Sequence, residues 1–154
     1  MRLTKLIVTF FYLGYSKIAP GSIASLVTTL IFYFFAKYLF FSLLIMIILV
    51  TTVLSFFAVG VYTSGSSEKD KSEIVIDEVI GQSIALSPLL FFSEYNPPEF
   101  YMCVIALLFF RFFDIVKPFP INEVDKINSN FGVIMDDILA GFFSAILLTL
   151  ILNI

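Results

Sequence analysis

The chain has 154 residues, 60% of them hydrophobic and 20 of them phenylalanine, with a formal net charge of −3 and a mean hydropathy of +1.03. A soluble domain is about 45–50% apolar, so composition alone reads as an integral membrane protein, and no basic stripe points to nucleic acid. Histidine is absent and Cys103 is the single cysteine, which excludes His catalysis, His metal ligands and an internal disulfide; Arg111 stands at the wrong spacing from Cys103 for a Cys-x5-Arg phosphatase loop.

The elements follow in chain order. Residues 2–13 read as a short amphipathic or re-entrant helix with Arg2 and Lys5 at its start. This opening is too weakly apolar, and too soon interrupted by Gly14 and Pro20, for a cleaved signal peptide. Pro20-Gly21 is turn chemistry. Apolar helices are expected over 22–37 and 40–63, although no proline or glycine enforces a break between them. A polar loop over 65–71 leads to a third helix over 73–92, with Asp70 and Glu73 spaced like a capping box. Asn96-Pro97-Pro98 is a turn. A fourth helix covers 99–114 and ends before Pro118. Residues 121–129 suit a short polar surface helix, and 133–152 a last apolar helix. The expectation is an all-α polytopic bundle of about five to six helices, a single domain over 1–154.

Charge placement orients the bundle. With a cytoplasmic N-terminus, Arg2, Lys5, Lys17, Lys69, Lys71, Arg111, Lys117 and Lys126 fall on the cytoplasmic side and only Lys37 on the other, a clear positive-inside bias. The same topology gathers every unusual polar cluster at one membrane face.

Two of these clusters are adjacent acids in apolar surroundings, Asp77-Glu78 and Asp136-Asp137. Unpaired carboxylates in hydrocarbon cost several kcal/mol, and a divalent cation is the simplest compensation. The structural alternative is a helix N-terminus favouring an acid through its dipole or as a cap, but either role needs only one acid of each pair. Gly81, four residues after Asp77, leaves room for a phosphate or a neighbouring helix. In the third cluster, Arg111 suits bidentate phosphate contact and Lys117 a point charge, with Asp114 between them as counter-ion. In the fourth, Gly21 and Ser22 open a helix whose amides suit an anion, or make an ordinary turn and cap.

In combination and order, Asp77-Glu78-Val79-Ile80-Gly81-Gln82, Phe110-Arg111-Phe112-Phe113-Asp114-Ile115-Val116-Lys117-Pro118-Phe119-Pro120-Ile121 and Asp136-Asp137-Ile138-Leu139-Ala140-Gly141 resemble the phosphatidylglycerophosphatase A family of bacterial lipid phosphatases. Ala19-Pro20-Gly21-Ser22-Ile23-Ala24-Ser25-Leu26 resembles that family's N-terminal loop, with Ser22 for threonine and Ala24 for glycine. Lys71 stands where the family often has proline.

The resemblance implies a Mg²⁺-dependent, all-helical enzyme of the bacterial inner membrane. It would hydrolyse phosphatidylglycerophosphate to phosphatidylglycerol and inorganic phosphate at the cytoplasmic face. Asp77, Glu78, Asp136 and Asp137 would hold one or two Mg²⁺, with Asp114 as a further ligand. Arg111, Lys117, Gly21 and Ser22 would hold the phosphate, and a water would attack phosphorus. The expected partner is the phospholipid substrate in the bilayer. Two alternatives remain: a membrane phosphohydrolase for another lipid phosphate, and a small channel or transporter. A channel or transporter would spread its acids through the membrane depth. A CDP-alcohol phosphotransferase is excluded by the missing Asp-Gly-x-x-Ala-Arg signature.

Overall fold

The structure, a computed structural model, describes residues 2–65, 71–92 and 98–153. Seven α-helices occupy these residues: α1 Arg2–Val8, α2 Pro20–Phe35, α3 Phe41–Tyr62, α4 Ile76–Phe92, α5 Phe100–Val116, α6 Ile121–Asp125 and α7 Asn130–Leu152. Five are long and two short, and no strand occurs among the described residues. Among the described residues, three stretches are long and apolar enough to cross a membrane: Pro20–Tyr38, Phe41–Tyr62 and Asn130–Leu152. The protein is thus an all-helical membrane protein.

The N-terminal helix is shorter than the expected 2–13. It ends at Val8, and Phe10, Phe11 and Tyr12 then take left-handed backbone angles (φ 42, 56 and 70°). Thr9 holds this turn: its hydroxyl donates to the Lys5 carbonyl (2.8 Å) and accepts from the Tyr12 amide (3.1 Å). Proline at the first position of α2 suits a helix start, where its missing N–H costs nothing. The buried face of α2 is Gly21, Ala24, Ser25, Thr28, Thr29 and Phe32, a helical stripe of small and polar residues. Each of its hydroxyls returns to a carbonyl one turn back, Ser25 to Gly21, Thr28 to Ala24 and Thr29 to Ser25, so none needs a partner outside the helix. The break between the first two long helices does occur. A 3-10 turn over Ala36–Tyr38 and extended Leu39 and Phe40 supply it without glycine or proline.

The centre of the bundle is α4, which packs against α2, α3, α5 and α7. Pro88 lies inside it and cannot donate to the Ile84 carbonyl. The Ser87 hydroxyl donates there instead, at 2.8 Å, which removes the polar group that an apolar bundle could not leave unmet. This helix starts at Ile76 rather than 73. Glu73 is therefore outside it and caps nothing; its carboxylate accepts from the Tyr62 hydroxyl at 3.1 Å. Asp70, the other half of the expected capping box, lies outside the described residues, as do 66–70 of the polar loop and Asn96-Pro97 of the turn.

Helix α5 ends at Lys117, which is left-handed (φ 46°) and returns its amide to Phe113 at 2.9 Å. Pro118 follows and stops continuation. Helix α7 starts at Asn130, three residues before the expected 133, because Ser129 caps it and accepts from the Gly132 amide at 3.2 Å.

Among lipids the hydrophobic effect does not drive helices together; close packing does. A close approach of backbone to backbone joins α4 and α7. A β-carbon on Gly141 would overlap the Gly81 carbonyl, and one on Gly81 would meet the Asp137 carbonyl and the Phe110 ring.

Candidate active site

The N-terminal ends of α2, α4 and α7 and the C-terminal end of α5 meet at one end of the bundle. Between them lies a cavity of about 400 Å³ lined by Gly21, Ser22, Asp77, Glu78, Arg111, Asp114, Lys117, Asp136 and Asp137, among others. Every site residue expected from sequence therefore reaches one cavity, although the four clusters are far apart in the chain.

Within it, Asp77, Glu78 and Asp137 each offer a carboxylate oxygen, and these oxygens lie within 4.8 Å of one another. Asp77 and Asp137 are buried and Glu78 is half-buried. Three hard oxygen donors this close repel unless compensated, and they suit a hard divalent cation. The capping alternative fails for α7. Ser129 is its cap, and the Asp pair sits about two turns inside the helix, deeper than the first turn in which a start at 133 would have put it. Asp77 and Glu78 do lie in the first turn of α4. There the Glu78 amide donates to the Asp77 carboxylate at 3.0 Å.

Asp136 has a different neighbour. Its Oδ2 accepts from Lys117 Nζ at 2.8 Å, while Oδ1 is buried with no hydrogen-bond partner. The cluster of close carboxylate oxygens thus contains one residue of the second acid pair rather than both. Lys117 also bonds Asp125. Burial opposes its charge, but the hydrogen bonds to Asp125 and Asp136 outweigh that and raise its pKa above the ordinary lysine value. Arg111 pairs with Asp114, Nη1 to Oδ2, at 2.8 Å. The counter-ion role of Asp114 therefore extends to Arg111 alone, since the left-handed turn at Lys117 carries its ammonium to Asp125 and Asp136.

Gly21 has a direct steric reason. A β-carbon there would collide with the Glu78 carboxylate, so the glycine clears space for a candidate ligand as well as lining the cavity. Gly81 admits a neighbouring helix, the second of the two roles open to it. Sequence reasoning missed Ser72, Asp125, Lys126 and Asn128, which also line the cavity. The signal for the last three is weak: Ile121 is the one wholly buried residue of α6 and anchors this segment against the bundle.

Residues 6–152 match the phosphatidylglycerophosphatase A family. The chain belongs to that family. A phosphatidylglycerophosphatase A from Haemophilus influenzae is 33% identical over 129 residues, 83% of this chain and 76% of its own length. The Escherichia coli protein of the same name is 34% identical over 100 residues, 60% of this chain and 54% of its own. A Bacteroides thetaiotaomicron protein, named provisionally as a phosphatidylinositol-3-phosphatase, is 34% identical over 147 residues, 93% of this chain and 89% of its own. No solved structure matches the chain. The family match spans all four clusters, so the cavity at the end of the bundle is the place to seek a phosphatidylglycerophosphatase A site.

Proposed function

We propose that the protein is a Mg²⁺-dependent phosphatidylglycerophosphatase of the bacterial cytoplasmic membrane, releasing inorganic phosphate at the cytoplasmic face. The observation that carries this reading is one cavity in which the triad Asp77, Glu78 and Asp137 stands with Arg111 and Lys117.

Asp77, Glu78 and Asp137 would hold the cation. When bound, Mg²⁺ neutralises phosphoryl oxygens and makes water more acidic. Arg111 presents a planar fork to two phosphate oxygens, Lys117 a point charge to a third. The amides of Gly21 and Ser22, in the first turn of α2 where no intrahelical acceptor exists, complete the phosphate cradle. Asp136, through its unpartnered Oδ1, takes the proton of the attacking water. The bond from phosphorus to the lipid glycerol oxygen breaks, that oxygen takes up the proton Asp136 accepted and leaves as the alcohol, and the diacyl product stays in the bilayer.

The relative from Bacteroides supports a second reading, in which the same site acts on another lipid phosphomonoester. Phosphate release by purified protein from a panel of such lipids, including phosphatidylglycerophosphate and phosphatidylinositol 3-phosphate, separates the two. The proposal expects phosphatidylglycerophosphate to be preferred, EDTA to abolish turnover and Mg²⁺ to restore it. Full activity in chelator would sink the metal assignment.

A further inference from the structure

All twelve acids of the chain lie at Glu68 or beyond. Before that point the only charges are Arg2, Lys5, Lys17 and Lys37. The first three stand on the segment Arg2–Ile18, which precedes α2 and sits at the cavity end of the bundle. Three contacts fix it there. The Val75 amide donates to the Val8 carbonyl at 2.9 Å, Gly14 lies against the Glu73 backbone, and the Tyr15 and Tyr62 hydroxyls meet at 3.3 Å. Lys5 Nζ lies 4.7 Å above the Tyr15 ring. Glu73 is the acid beside this group, and its carboxylate is engaged by Tyr62.

The same segment carries large apolar side chains outside the membrane-crossing stretches. Leu3 is 72% exposed, Phe11 69% and Ile18 78%, with Tyr12 and Tyr15 also exposed. Cations interleaved with exposed aromatic and aliphatic residues are the pattern of a segment lying in the headgroup layer. Lys17 and Ile18 lead directly into Ala19, Pro20, Gly21 and Ser22, which line the cavity. A negative lipid surface attracts such cations, and charge complementarity names the occupant.

We propose that Arg2–Ile18 is a docking strip for anionic phospholipid headgroups, with Arg2, Lys5 and Lys17 concentrating them at the cavity mouth. The inference stands apart from the hydrolytic reading, because it concerns which lipids gather there and not what happens to them.

The chain has no tryptophan, so Phe11→Trp gives a single emitter within the strip. The protein is reconstituted in phosphatidylcholine vesicles containing either dansyl-phosphatidylserine or dansyl-phosphatidylcholine, and tryptophan-to-dansyl transfer is measured. The expected result is several-fold more transfer to the serine lipid. The excess should vanish when Arg2→Gln, Lys5→Gln and Lys17→Gln are combined, and should collapse at high salt without any substitution. It should survive Lys37→Gln, which lies beyond α2, away from the strip. Equal transfer to both lipids overturns the proposal. So does an excess that persists in the triple variant.

Discussion

Asp136 and Asp137 are neighbours in sequence and point to different neighbours in space. Successive helical residues are about 100° apart; Asp137 joins Asp77 and Glu78, while Asp136 turns to Lys117. The carboxylate charge, rather than the side-chain size, is what both arrangements use. Asp77→Asn and Asp137→Asn should therefore leave the fold intact and lower phosphate release at least a hundredfold, since even residues that merely support a metal ligand cost about 10–100-fold. Glu123→Gln is the matched control. Glu123 is exposed and its carboxylate accepts from Lys126 at 2.8 Å, so the loss of its charge should be nearly silent. Activity and thermal unfolding measured on the same detergent-purified samples decide the matter. Near wild-type turnover in both folded Asn variants would remove the metal assignment.

At the scale of the element, the start of α7 carries its own prediction. Ser129→Ala removes the side chain that accepts from Gly132 and should cost about 1 kcal/mol of stability. It should leave turnover per folded molecule unchanged, because Ser129 does not line the cavity; a lowered unfolding temperature with unchanged specific activity is the expected pair of readings. The same element shows what was legible in the sequence. Its apolar run announced the helix, and its acids announced chemistry. The start was misjudged because Asn130, Phe131 and Gly132 are poor helix formers and one local serine bond outweighs them. The four clusters were visible as residue types, and their resemblance to a family supplied their order. The split of roles within Asp136-Asp137 was not visible. It depends on the left-handed turn at Lys117 and on Asp125 returning from α6, contacts between segments that no periodicity encodes.

For the whole molecule, the arrangement of ends is the testable feature. Ser72 and Asn128 are exposed at the cavity end, and Lys37 is exposed at the end of the first membrane-crossing stretch. In a Cys103→Ala background, single cysteines at Ser72 and Asn128 should react with an impermeant thiol reagent only from the cytoplasmic side, and one at Lys37 only from the other. Labelling of Ser72 and Asn128 from opposite sides would break the shared-face arrangement. The exposed apolar exterior, Phe57 on α3, Leu108 on α5 and Phe142 and Leu150 on α7, is the surface such a bundle turns toward lipid.

The contact between Gly81 and Gly141 lies one helical turn from Asp77 and Asp137 respectively, so it would work as a spacer gauge for an ion held by the proposed triad. Backbone against backbone is the shortest distance two helices can keep, and it sets how far apart the carboxylates stand. Mg²⁺ needs oxygens at about 2.0–2.1 Å, while Ca²⁺ accepts about 2.3–2.6 Å. Gly141→Ala inserts a methyl against the Gly81 carbonyl and must wedge α4 from α7. Beyond a stability loss of about 1–3 kcal/mol from overpacking, the variant should lose Mg²⁺ affinity more than Ca²⁺ affinity, as read by calorimetric titration of each ion. Selectivity for the smaller ion would then reside in two residues that have no side chain at all.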